Sequence, residues 1–332
     1  MTFLIFILLQ WHPQSFAAIY GSDQRREISQ LSPAWQEAAS AVALALPTLF
    51  LAKDHENQLF HIEWEERNYG KTMQLCPDER FTEQTTYGHC TAFLIHPRVL
   101  LTAAHCILPK GKIENSQHSY CDNFSFWLDY NDKIPKPYGS KINPRKVLHC
   151  QKIIYAENND SFQSKDDPID FALLELTEPI YDVAPLKMRS ADLPAKTLVS
   201  TIGHPHGLPA KFSGLSPLLA NDNGSTSQAV NLDTLGGNSG SPIFNTKQEV
   251  VGVLTDGHQY DTYETEDNCD RINHCDSQGK NCKKNSKLPA SNFFQKMKVI
   301  QPHLEKYLKQ NTLPFSFSSS QESSLRMQAL TH

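Results

Sequence analysis

The stretch Gly237-Asn238-Ser239-Gly240-Ser241-Pro242 decides how this chain is read. It sets one serine between glycines in a tight turn, where glycine tolerates backbone angles that other residues resist. Two further motifs lie upstream, Thr102-Ala103-Ala104-His105-Cys106 and Asp170-Phe171-Ala172-Leu173-Leu174. A glycine–serine turn alone is common. A histidine, an aspartate and a serine in that order, 65 and 69 residues apart, are the parts of an activated nucleophile with its base and the group that orients the base.

The sequence around these motifs is a series of short apolar runs. Ala92-Phe93-Leu94-Ile95, Val99-Leu100-Leu101-Thr102, Leu198-Val199-Ser200-Thr201-Ile202, Ser241-Pro242-Ile243-Phe244 and Val250-Val251-Gly252-Val253-Leu254 are each bounded by Gly, Pro, Asn or Asp. Many short strands at this spacing predict an all-β sandwich or barrel. One helix is expected near the end, capped by Ser291, with Phe293, Met297, Ile300, Leu304 and Leu308 at helical spacing. The alanine-rich stretch 38–46 fits either a helix or a buried strand, because periodicity does not separate them. The polar stretch 256–287 carries three cysteines and reads as a surface insertion between the last strand and the helix.

A chain of 332 residues suits one large or two small domains. A formal net charge of −5 and the lack of a basic run argue against a nucleic-acid partner. Residues 1–17 read as a signal peptide: an apolar run through Leu9, then Ser15 and Ala17 at the small-residue positions of a cleavage site, although no basic residue precedes the run. A buried N-terminal strand is the rival reading of that run. No later segment approaches about 18 apolar residues, so no membrane association is expected after signal removal. Eight cysteines, an even number, suit an exported chain, secreted or periplasmic. Cys90 and Cys106 bracket the strand pair leading to His105 and are expected to bond. Cys121 and Cys150 flank neighbouring apolar segments and are expected to do the same. The pairing of Cys76, Cys269, Cys275 and Cys282 stays open, with a zinc site as the rival reading of the last three.

Taken together, TAAHC, DFALLE and GGNSGSP resemble the trypsin-like serine proteases, and NSGSP followed by Ile243-Phe244-Asn245 is similar to their bacterial glutamyl-endopeptidase branch. Ile19 to Arg25 also looks like the start of mature bacterial members. The resemblance is dense over 85–257. It implies two packed antiparallel six-stranded β-barrels with a C-terminal α-helix, the site lying in the cleft between them. The division that follows is a signal peptide at 1–17, an N-terminal segment at 18–80 acting as propeptide or strap, a protease domain at 81–310 and a disordered tail at 311–332. By the same resemblance His105 is the general base, Asp170 orients it, Ser239 is the nucleophile, and the N–H groups of Gly237 and Ser239 form the oxyanion hole. The implied activity is that of a secreted serine endopeptidase. It works through an acyl-enzyme on protein or peptide substrates, as a monomer, with no cofactor and no metal. The alternative is a non-catalytic binding protein on the same fold, since fold does not fix function.

Two departures from the family pattern bear on specificity and activation. Asn238 replaces the aspartate that receives a new N-terminus in trypsin's relatives, so that activation switch is not expected. Leu254 stands where glutamyl endopeptidases carry a carboxylate-binding histidine, which argues against cleavage after Glu. Thr234 matches a pocket threonine, and Asp233 has the spacing of trypsin's pocket aspartate. Asp233 either attracts Lys and Arg side chains or turns away to cap local backbone. Thr255-Asp256-Gly257 is the expected edge that binds substrate main chain through Thr255 and Gly257. The loop Gly203-His204-Pro205-His206-Gly207 and the acidic run Asp261, Glu264, Glu266, Asp267 and Asp270 are read as structural and solvated features, not metal sites.

Overall fold

The structure is a computed structural model that describes residues 14–15, 17–54, 59–62, 67–108, 110–117, 119–134, 141–159, 168–219, 224–256, 261–284 and 290–311. Most of the expected signal peptide, Gly257 and all but Asn311 of the expected tail therefore lie outside the described residues.

Seven strands build the first half. They are β1 Val42–Pro47, β2 Cys90–His96, β3 Val99–Thr102, β4 Gly111–Ser116, β5 Phe124–Leu128, β6 Val147–Asn158 and β7 Asp170–Leu176. The order β5-β1-β2-β3-β7-β6 closes on itself because β6 also pairs with β5. This is a closed six-stranded antiparallel barrel, with β4 added on the outer side of β6. The one long strand β6 serves three neighbours, β5, β7 and β4, and it is bulged near Cys150 and Ile153, where bulges bend a strand and re-aim it. Every residue of β2 is buried, which fits a strand covered on both faces.

The second half contains β8 Leu198–Gly203, β9 Ser216–Pro217, β10 Ser227–Val230, β11 Pro242–Asn245, β12 Val250–Asp256 and β13 Ala290–Lys296. They pair in the order β9-β8-β11-β12-β13-β10. The last seam is closed by the Leu218–Val230 bridge and by Leu219 N–H donating to the Ala229 carbonyl. The all-β architecture with a C-terminal helix is thus as the sequence predicts, with the second barrel closed more loosely than the first.

Two expectations are corrected. The terminal helix, α2, spans Met297–Gln310, four residues shorter at its start than the apolar spacing suggests. Ser291 and Phe293 lie in β13, which pairs with β12 on one side and β10 on the other, so Ser291 caps nothing. Two flanking ladders outweigh a local helical period. The last strand is therefore β13, and the polar stretch 256–287 sits between two strands. The chain before Cys90 also contributes to the first barrel. The alanine-rich stretch splits into helix α1, Pro33–Ser40, and strand β1, which lies between β5 and β2 in the barrel wall. Its small side chains are buried throughout that wall.

The chain start is woven in as well. Ile19–Tyr20 runs parallel to His274–Cys275, and Arg26–Glu27 pairs with Lys211–Phe212. Disulfides join Cys90 to Cys106, Cys121 to Cys150, Cys76 to Cys269 and Cys275 to Cys282. The last two replace the zinc reading, because a sulfur in a disulfide is no longer a thiolate ligand. Helix α2 buries Met297, Ile300, Leu304, Tyr307 and Leu308 against the main core. No described helix is long and apolar enough to cross a membrane.

Candidate active site

The two halves bring the three sequence motifs together: Asp170 meets His105, and Cys106 Sγ lies 3.8 Å from the Ser239 carbonyl oxygen. His105 lies in a helical turn, Ala104–Cys106, just after β3. Asp170 opens β7, which pairs with β3, so the fold sets the two residues side by side. His105 Nδ1 lies 2.6 Å from Asp170 Oδ2, and the His105 backbone N–H donates to Asp170 Oδ1 at 2.9 Å. One carboxylate thus fixes both the ring and the main chain of the histidine. Asp170 is held in turn by its own N–H, which donates to Gln295 Oε1 at 3.0 Å across the barrel boundary. Gln295 is anchored by its amide on the Thr226 carbonyl. Cys90 and Cys106 lie close to His105, but their sulfurs are bonded to each other and offer no thiolate to a metal.

Ser239 sits in the turn between β10 and β11, and Thr91 of β2 clamps that turn from the other barrel. Thr91 N–H donates to the Ser239 carbonyl at 2.8 Å, and its hydroxyl donates to the Gly237 carbonyl at 2.8 Å. The same hydroxyl accepts the His204 N–H at 3.0 Å. Thr91 is fully buried, so these bonds are protected from water. Gly237 has φ +91°, and a Cβ there would lie 2.5 Å from the His204 carbonyl oxygen. Only glycine fits that position. Asn238 is buried, and its amide donates to the Leu235 carbonyl.

The remaining sequence candidates fall in different places. Leu254 is buried in the core of the second barrel, and its backbone brackets the serine turn through Gly240 and Ser241. Thr255 is nearly buried, with its hydroxyl donating to the Phe293 carbonyl. Thr234 is buried and bridged to Ala18. Asp233 takes the capping alternative. Its Oδ1 accepts the Tyr20 N–H and its Oδ2 accepts the Gln24 N–H, both at 2.8 Å. These bonds turn the carboxylate onto the N-terminal segment, so the geometry gives no support to a basic-residue pocket built on it.

Burial pushes the Asp233 carboxyl up to about 6, against the lowering effect of the two backbone N–H groups. A raised carboxyl binds its proton in the folded state at pH values where the unfolded chain has lost it. Stability from this group is therefore present below about pH 4 and lost as pH rises through about 6. Asp233→Asn removes that loss. The melting temperature of the variant relative to wild type should climb between pH 4 and pH 7, equivalent to about 1–3 kcal/mol. Thermal melts across that range check it, and a constant difference rejects it.

Two features have no signal in the sequence: Thr91 and Gln295, because their roles arise only where the barrels meet. His206, expected to be structural, is hydrogen-bonded on both ring nitrogens, and Asp261 of the acidic run is one of its partners: His206 Nε2 lies 2.6 Å from Asp261 Oδ2, and His206 Nδ1 lies 2.8 Å from the Tyr69 hydroxyl. The neighbouring His204 is a structural histidine. It is fully buried, donates from Nδ1 to the Leu208 carbonyl, and is held down at about 3 by burial.

Residues 90–253, which contain His105, Asp170 and Ser239, match the family model of the trypsin-like peptidase domain. Among solved structures the chain is similar to a Glu endopeptidase in complex with MPD, at 14% identity and a TM-score of 0.47 over 88% of this chain and 99% of that one. Similarity to human heparin binding protein is at 13% identity and a TM-score of 0.47, over 89% and 100% of the two chains. Similarity to the Vibrio cholerae VesB protease is at 13% identity and a TM-score of 0.47, over 87% and 67%. No curated protein matches the sequence.

Proposed function

We propose that this chain is a secreted serine endopeptidase in which Ser239, His105 and Asp170 cleave peptide bonds through an acyl-enzyme. The observation that carries the reading is the two-point grip of Asp170 on His105 beside a serine turn clamped by Thr91. With Nδ1–H directed at Asp170, the neutral imidazole has its lone pair on Nε2, the nitrogen that serves as base. Ser239 Oγ attacks the substrate carbonyl carbon while His105 Nε2 takes the hydroxyl proton. The carbonyl oxygen becomes an oxyanion, and Gly237 and Ser239 N–H groups stabilise it. The C–N bond then breaks, the amine leaves with the proton from His105, and an ester remains on Ser239. Water repeats the sequence through the same base and releases the acid.

Four disulfides fit an exported protein. Neither cleavage after Glu nor a basic-residue pocket is supported by Leu254 or Asp233, and a peptide-library profile would set the preference. A fluorophosphonate probe tests the class of protein. We expect stoichiometric labelling at Ser239, absent after denaturation. A folded protein that binds peptides but is never labelled would instead be a binding module.

A further inference from the structure

Gly237 N–H stabilises an oxyanion only if the peptide unit joining Gly236 and Gly237 faces the right way. That unit is the centre of a turn, Leu235 to Asn238, closed by Asn238 N–H donating to the Leu235 carbonyl at 3.1 Å. Both central residues are glycine, and a Gly-Gly pair gives the middle peptide little intrinsic preference between its two orientations. Something outside the turn has to choose.

The choice is made by the His206 main chain and by three side chains from distant segments. The Gly236 carbonyl accepts the His206 backbone N–H. In a trans peptide the C=O and N–H point in opposite directions, so this bond turns Gly237 N–H to the far side, away from His206. Gly236 N–H donates to Asp261 Oδ2 at 3.0 Å. The same oxygen lies 2.6 Å from His206 Nε2, and His206 Nδ1 lies 2.8 Å from the Tyr69 hydroxyl. With Nε2–H directed at Asp261, the ring presents Nδ1 to the Tyr69 hydroxyl. Burial works against charge on Asp261, yet the bonds from His206 and Gly236 outweigh it and hold the carboxyl below its usual range. Burial also pushes the Tyr69 phenol up, which keeps it a hydroxyl donor. His206 itself is left-handed, with φ 50° and ψ 25°, a conformation a non-glycine residue adopts when its surroundings impose it.

We infer that Asp261, with His206 and Tyr69, is a positioning residue that latches the Gly236–Gly237 peptide in the orientation presenting Gly237 N–H to the oxyanion. The inference rests on the proposed role of Ser239. Asp261 touches no reacting atom; it grips the turn directly at Gly236 and indirectly through the His206 ring. Without it, the His206 ring and Gly236 N–H lose their shared partner, the His206 backbone N–H that holds the Gly236 carbonyl is less firmly placed, and the central peptide turns more readily, so the oxyanion loses part of the stabilisation from one of its two donors.

The test compares Asp261→Ala, Asp261→Asn, Tyr69→Phe and wild type in full-length protein. Asp261→Ala should lower kcat on a peptide substrate about 10–100-fold, less than the 10²–10³-fold loss for deleting a donor outright, with KM changed less than about threefold. Its affinity for a peptide boronate, whose tetrahedral adduct carries an oxyanion, should fall in parallel. Asp261→Asn keeps an oxygen that accepts both bonds and should recover most of the loss. Tyr69→Phe, which frees the ring's tautomer, should fall between. Wild-type kcat in Asp261→Ala, or equal loss in the Asn variant, would overturn the latch, as would a loss confined to KM. Amide exchange is an independent measure of the latch. The Gly236 amide, which donates to Asp261, should exchange faster in Asp261→Ala and at the wild-type rate in Asp261→Asn. If wild-type protein neither hydrolyses peptides nor takes the serine probe, the proposed function fails and exchange alone decides the latch: unchanged exchange in Asp261→Ala refutes it.

Discussion

Replacing Ser239 or His105 by alanine is expected to lower peptide hydrolysis by about 10⁴–10⁶-fold, the range that follows removal of a nucleophile or its base in a comparable triad. A serine hydroxyl at neutral pH does not attack an amide unless its proton is removed as it does so. In the proposed mechanism that base is His105, which Asp170 grips at Nδ1 and at its backbone N–H. Neither substitution should unfold the protein. Ser239 is anchored through its carbonyl, which accepts the Thr91 N–H, and that bond survives in alanine. The His105 side chain is partly exposed, so its loss opens no closed cavity. Steady-state kinetics on a peptide substrate, with thermal melts as the folding control, measure the outcome. Near-wild-type turnover in either variant would remove the residue from the mechanism.

The proposed site is legible where its chemistry is local and illegible where it is assembled. His105, Asp170 and Ser239 each lie in a motif that the eye can find, because a base, an orienter and a nucleophile each need a particular backbone around them. The short strands were legible for the same reason: their boundaries are written in Gly, Pro, Asn and Asp. Thr91 was not, because a buried threonine on a strand looks like any other until the second barrel arrives against it. The latch is the extreme case. Tyr69 and His206 are 137 residues apart and His206 and Asp261 are 55 apart, so nothing in either segment points to the other. Asp233 is the converse case. Its spacing from Ser239 suggested a pocket, but spacing does not say which way a side chain turns, and two backbone N–H groups from Tyr20 and Gln24 turn it. The start of α2 was misplaced because the apolar residues of β13 happen to continue a helical period. Strand pairing on both edges is a long-range fact that the period does not contain.

Asp170→Asn is expected to lower kcat by about 10⁴-fold, the scale seen when the aspartate of such a triad becomes an amide. The substitution is nearly isosteric, so packing is not the cause. Asp170 meets two donors, the ring Nδ1–H and the backbone N–H of His105, with one oxygen each. An asparagine has only one oxygen to give. If it faces the backbone, its NH₂ faces Nδ1, and the ring can pair with it only by moving its own hydrogen to Nε2. That tautomer has no lone pair where the Ser239 proton must go. If the oxygen faces the ring, NH₂ opposes the His105 backbone N–H, and the turn carrying the base is pushed from its place. Either way the base fails as a base while the residue remains. The contrast with Asp261→Asn is informative, because there one oxygen serves both donors and the amide should suffice. Combining Asp170→Asn with His105→Ala should cost no more than His105→Ala alone, since an orienting group has nothing left to orient. A double variant whose losses multiply would mean that Asp170 acts through something other than His105.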